Sequence, residues 1–169
     1  TLVHRFYTVA AHWPLTDCAA VPHRMSTALD ELLDTLRAAL GDDAVLVGGA
    51  VGARHHVDWT GKAPCAPVAL VRPRTTAEVA TTLRLCHAAR RPVVVQGGMT
   101  GLAGGATPRP GEIALSLERL SGVEDLDPAG ATLRVRAGTP LATVHAAAAE
   151  HGLMFALDLA SRGSCTVGG

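Results

Sequence analysis

Aromatic side chains make up only 3% of this 169-residue chain, and after Gly61 the sole one is Phe155. That scarcity excludes a platform on which nucleic-acid bases could stack. Net charge is also missing. Fifteen basic residues cancel fifteen acidic ones, so no broad field draws the chain toward a polyanion. No apolar run is long enough to cross a bilayer. Cys18, Cys65, Cys86 and Cys165 have neither paired metal spacing nor the look of a disulfide framework, so free thiols in a reducing compartment are expected. What is plentiful is apolar residues, at 48%, enough to build the core of one domain. The composition points to a chain that binds small molecules, has no nucleic-acid partner and no transmembrane segment, and is cytoplasmic or peripheral to the membrane.

Residues 1–24 differ from the rest. His12, Pro14 and Asp17 interrupt the apolar centre that a signal peptide needs, and Asp17 stands before Cys18 where a lipoprotein site has a small residue. Thr1 to Arg24 is expected to be a leader outside the fold, non-native or disordered. From Met25 the pattern is regular. Ser26 can cap a helix with Leu29, Leu32, Leu33, Leu36 and Leu40 on one stripe, ending at Gly41. Val45 to Val47 is a short strand before the Gly48-Gly49 turn. His55, His56 and Asp58 lack the arrangement of a metal site and are read as a loop.

Val68 to Val71 is the next strand. Thr75 and Glu78 have capping-box spacing and begin a helix with Val79, Leu83 and Cys86 on one face, stopping near Pro92. Val93 to Val95 then read as a buried strand, completing a βαβ unit with a right-handed crossover. Ile113 to Leu117 and Leu133 to Val135 are short strands joined by the polar turn Asp127 to Gly130, where the second, mostly antiparallel part begins. Pro140 is expected at the first position of a helix carrying Leu141, Val144 and Ala148, which Gly152 ends. His145 and His151 are read as surface or cap residues.

The most informative stretch follows Val95. Gly97, Gly98, Gly101, Gly104 and Gly105 place five glycines within nine residues. They allow positive φ and let a ligand touch bare backbone, and consecutive amides in such a turn make a concave anion site. With no Lys or Arg between Pro92 and Pro108, a phosphate here rests on amide dipoles and the Thr100 hydroxyl. The loop is neither a P-loop, since no Lys-Ser or Lys-Thr follows it, nor a G-x-G-x-x-G fingerprint. A second stretch, Phe155 to Gly169, again combines glycines (Gly163, Gly168, Gly169) with hydroxyls (Ser161, Ser164, Thr166).

Together these stretches resemble the flavin-binding domain of the vanillyl-alcohol oxidase (p-cresol methylhydroxylase type) family, and within it the FAD-dependent D-2-hydroxy-acid dehydrogenases, which act on D-lactate, D-2-hydroxyglutarate or glycolate. Pro92 to Leu102 resembles the pyrophosphate loop, Leu117-Glu-Arg-Leu the following strand and turn, Ala137-Gly-Thr-Pro-Leu the entry to the next helix, and Leu157 to Gly169 the stretch lining the flavin. Met99 departs from the pattern, since many relatives carry a third glycine there.

The resemblance implies an α+β, PCMH-type FAD-binding fold: a small parallel βαβ subdomain and the beginning of a mostly antiparallel second one, incomplete here. It spans residues 25–169, with the substrate domain absent. The implied cofactor is FAD. Gln96, Gly97, Gly98, Met99, Thr100, Gly101 and Leu102 are expected at its pyrophosphate, and Ser161, Gly163, Ser164, Thr166, Gly168 and Gly169 at its flavin side. Cys165 is expected to pack beside the cofactor, and Arg162 to be a solvated arginine or a phosphate partner. The implied reaction oxidises a D-2-hydroxy acid to a 2-oxo acid by hydride transfer to flavin N5, and electrons leave for an acceptor other than a nicotinamide. No residue here takes a catalytic or metal-binding role, and this portion alone is expected to be inactive. The alternative is a non-catalytic flavin-fold subunit of a larger oxidase complex.

Overall fold

A computed structural model describes residues 27–169. The leader assigned to residues 1–24 and the Ser26 cap lie outside the described residues. Helix α1, Thr27–Leu40, forms because its five leucines recur every three or four positions, and all five are buried. Gly41 follows at φ +95°, a conformation that side chains other than glycine's rarely adopt.

Strand β1 (Val45–Leu46), β2 (Ala69–Val71), β3 (Val93–Gln96) and β4 (Ile113–Ser116) form one sheet in the order β1-β2-β4-β3. β1 runs antiparallel to β2, and the other three strands are parallel. Alternation divides the sheet into two faces. Ala69, Val71, Ile113 and Leu115 pack with the α1 leucines and with Cys86 of α2 (Thr76–Ala88), while Leu70, Val94 and Ala114 pack beneath Val51. Helices therefore cover one face, and the turns at Gly48–Ala50 and Ala53–His55 lie on the segment that supplies the cover of the other.

Beyond this layer, β5 (Val123–Asp127) and β6 (Thr132–Val135) form an antiparallel hairpin with an irregular register between Val123 and Asp125. Helix α3 (Leu141–Glu150) buries Leu141 and Val144 against Cys165, Leu133 and Val135. The architecture is α+β, a parallel layer followed by the opening of an antiparallel one.

Five local expectations need correction. Ile113–Ser116 belongs to the parallel sheet, inserted between the two strands of the expected βαβ unit, so β2 and β3 are not neighbours. The antiparallel partner of β6 is instead Val123–Asp127, whose Glu and Asp residues hid it as a strand. β3 is an edge strand with Val95 41% exposed, and Leu83 of α2 is 44% exposed, with Thr82 buried in the position expected of it. Cys86 and Cys165 are free thiols, whereas Cys65 is disulfide-bonded.

The helix termini differ in smaller ways. Thr75 accepts from the Glu78 amide as a cap should, at 3.1 Å, but the Glu78 carboxylate accepts from the Arg74 amide. Pro140 caps α3 in extended conformation and is not its first helical residue.

Candidate functional site at the glycine loop

β3 releases the glycine loop at its C-terminal end, where ligands of parallel sheets gather. The second glycine-rich stretch meets it there. Residues 165–168 are held by backbone pairing to the entry of α3. Leu141 N donates to Cys165 O (3.0 Å), Val167 N to Thr139 O (3.0 Å) and Gly168 N to Ala137 O (2.7 Å). Thr139 is itself fully buried, its hydroxyl bonded to both backbone groups of Gly122. That anchorage presses the C-terminal stretch onto the loop. A Cβ on Gly98 would lie 1.8 Å from Ser164 O, and one on Gly97 would lie 2.3 Å from Thr166 Oγ1 and 2.7 Å from Gly168 O. Gly169 approaches Gly97 as closely, its own Cβ falling 2.6 Å from the Gly97 Cα. No other residue type fits these positions.

A cleft of about 480 Å³ opens at this junction. Gly97, Gly98, Met99, Thr100, Gly101 and Leu102 line it from the loop, and Thr166 and Gly169 from the second stretch. The remaining expected residues do not line it. Gln96 is fully buried with its carboxamide engaged elsewhere. Ser161, Gly163 and Ser164 form the turn before Cys165, whose amide and that of Ser164 both donate to Ser161 O. Gly168 packs on Ala137. Arg162 pairs with Asp158 at 3.0 Å. Cys165, expected beside the cofactor, and Gly105 of the loop also line the cleft, while sequence reasoning omitted Val95, Ala103 and Ala106; the alternation of β3 could have identified Val95, since it faces away from buried Val94.

Positive φ is not what most of these glycines supply. Of the five in the loop, only Gly104 has positive φ, at +77°. Gly97 and Gly98 are required for close approach instead. The left-handed position is Met99, at φ +57°, where an L side chain costs about 1–2 kcal/mol.

Among the described residues, none that lines the cleft is an Asp, Glu, Lys, Arg or His. The nearest buried carboxylate is Asp58, which supports the loop from behind. Its Oδ2 accepts from the Gly104 amide at 2.7 Å, and its Oδ1 from the Thr60 amide and hydroxyl at 3.0 and 2.6 Å. The Thr60 hydroxyl, followed by these amides, holds the Asp58 carboxyl below the usual carboxylate range. Burial pushes the neighbouring His55 imidazole below its ordinary pKa, opposed by its hydrogen bond to Gln96. Cys86 lies apart in the core, and burial raises its thiol pKa.

A family model described as an FAD binding domain matches residues 67–169, covering both glycine stretches. The chain belongs to that family. Relatives of this FAD-binding domain include a D-2-hydroxyglutarate dehydrogenase of Xanthomonas citri pv. viticola, 46% identical over 112 residues, which are 66% of this chain and 24% of that protein. The mitochondrial D-2-hydroxyglutarate dehydrogenase of Bos taurus is 40% identical over 114 residues, 68% of this chain and 21% of that protein. The glycolate oxidase subunit GlcD of Escherichia coli strain K12 is 36% identical over 103 residues, 61% of this chain and 21% of the relative. The chain thus spans about a quarter of the length of these curated relatives.

Among solved structures, p-cresol methylhydroxylase with substrate bound superposes with a TM-score of 0.70 at 21% identity, covering 88% of this chain and 30% of that one. An alkyldihydroxyacetonephosphate synthase gives 0.72 at 19% identity, covering 82% and 28%. Identities this low speak for the fold, which is the PCMH type. The family's cofactor is FAD. A groove lined by the bare backbone of Gly97, Gly98 and Gly101, next to apolar Val95 and Leu102, fits a group that is part diphosphate and part flat ring.

Two substitutions separate the kinds of glycine demand. Gly98→Ala should force the two stretches apart at a cost of about 1–3 kcal/mol and leave the full-length protein without flavin; normal flavin absorbance would refute the close-packing argument. Met99→Gly should stabilise by about 0.5–1 kcal/mol, the relief of left-handed strain less the added freedom of the unfolded chain. Equilibrium unfolding in urea measures it, and a loss of stability would contradict the strain.

Proposed function

We propose that this chain is the FAD-binding portion of a flavin-dependent oxidoreductase that oxidises a D-2-hydroxy acid to a 2-oxo acid. The 46% identity to a D-2-hydroxyglutarate dehydrogenase carries the reading. It is supported by relatives named for D-lactate and glycolate, whose substrates are also small 2-hydroxy acids.

In this reading the amides of Gly97 to Gly101 and the Thr100 hydroxyl bind the diphosphate. The site holds two negative charges without a cation, so the energy comes from several aligned N–H dipoles at once. Thr166 and Gly169 border the flavin side, and Val95 and Leu102 supply apolar walls that exclude water. Gln96, Ser161, Gly163, Ser164 and Gly168 act indirectly, by shaping the two stretches that meet. Bound FAD supplies the hydride acceptor at N5. The base that takes the hydroxyl proton and the cations that hold the substrate carboxylate belong to a substrate domain outside the matched quarter of the relatives.

The full-length protein should purify yellow. Anaerobic D-2-hydroxyglutarate, D-lactate or glycolate should bleach its flavin absorbance, and an artificial dye should restore it. A yellow protein that no 2-hydroxy acid reduces would support the non-catalytic subunit reading instead.

A further inference from the structure

The stretch from His55 to Thr60 lines no part of the cleft, yet Asp58 bonds through both its carboxylate and its amide to the loop that does, and His55 bonds to Gln96 at the loop's base. Within residues 97–107 a single backbone–backbone hydrogen bond forms, Thr107 N to Gly104 O at 3.2 Å. A loop this rich in glycine and this poor in internal bonds has many conformations to lose. Its first limb is fixed by the contact of Gly97 and Gly98 with residues 164–169. Its second limb is held from behind. Asp58 Oδ2 accepts from Gly104 N at 2.7 Å, and Asp58 N donates to Thr107 Oγ1 at 3.0 Å. Gln96 Nε2 donates to Ala106 O at 3.0 Å and to His55 O at 2.9 Å, and Gln96 Oε1 takes the His55 Nδ1 contact at 2.9 Å. Asp58 is 3% exposed, and Gln96 is fully buried. Among the described residues no cation pairs with Asp58; amide and hydroxyl donors alone satisfy its carboxylate.

We propose that Asp58 is a positioning residue, which with the Gln96–His55 pair holds the second limb of the glycine loop in its cofactor-receptive shape before FAD arrives. The inference rests on the reading that this loop binds FAD. Pinning both limbs leaves residues 99–103 to face the cleft with their amides already arranged. The ordering entropy is then spent in folding and not subtracted from cofactor affinity. Asp58 suits the role because its carboxylate reaches across 46 residues of sequence to Gly104 without entering the cleft.

The test uses the full-length protein stripped of flavin, with Asp58→Asn and the milder Thr107→Val. In Asp58→Asn, amide exchange across 97–107 should accelerate about tenfold in the apoprotein while exchange across 29–40 of α1 stays unchanged, and the Kd for FAD, read by flavin fluorescence, should rise about tenfold. Thr107→Val should shift both in the same direction by about threefold. Unaltered loop exchange would overturn the proposal, as would equal acceleration in α1, which would make Asp58 a general stabiliser. Faster loop exchange with undiminished FAD affinity would also overturn it. If wild type itself fails to bind FAD, the cofactor reading falls separately, while the apoprotein exchange still decides whether Asp58 orders the loop.

Discussion

The contact on which this structure depends is backbone against backbone: Gly97 and Gly98 lying on residues 164–169 with no space for a Cβ between them. Neither stretch is a regular element, so neither is rigid on its own account. Each becomes rigid through what it is tied to. The first leaves β3 at a parallel sheet whose two faces are both packed. The second is paired to the entry of α3, where Thr139 is buried and locked onto Gly122. Meeting edge to edge, the two make a groove whose polar lining is main chain with the threonines Thr100 and Thr166. Such a surface suits a diphosphate, because amide dipoles neither need counter-ions nor reorganise when charge arrives.

That economy has a local cost. Met99 sits in left-handed conformation, and a buried carboxylate at Asp58 has to be satisfied wholly by neutral donors. Both features lie beside the cleft, where strain and buried polarity are commonly retained for a purpose. The same logic gives Cys165 its place. It packs with Leu141 and Val144 in the small core under α3, and so fixes the height of the stretch that covers Gly98.

Much of this was legible in the residues. The α1 leucines, the Thr75 cap and the Leu141, Val144 and Ala148 face were visible because each follows helical spacing, which burial enforces locally. The meeting of the two glycine stretches was visible from resemblance. Sheet order was not, because the position of β4 between β2 and β3 depends on pairing across long separations that leave no periodic mark. β5 escaped because Val-Glu-Asp-Leu-Asp is exposed on nearly every side chain, so no alternation was required of it. Gln96 was placed at the cofactor because it adjoins the loop, yet its carboxamide turns inward to His55 and Ala106. His55 and Asp58, read as a loop without a metal, turn out to hydrogen-bond to Gln96 and to Gly104 and Thr107. Sequence adjacency says little about which way a side chain turns.

The account stands on one diphosphate resting on the main chain of both stretches at once. A crystal structure of the full-length protein with FAD tests that most directly. The diphosphate oxygens should lie within about 3 Å of amide nitrogens between Gly97 and Gly101, with Gly97 and Gly169 still in contact beneath. A diphosphate bound to arginine or lysine side chains elsewhere, with the groove filled by solvent, would contradict it.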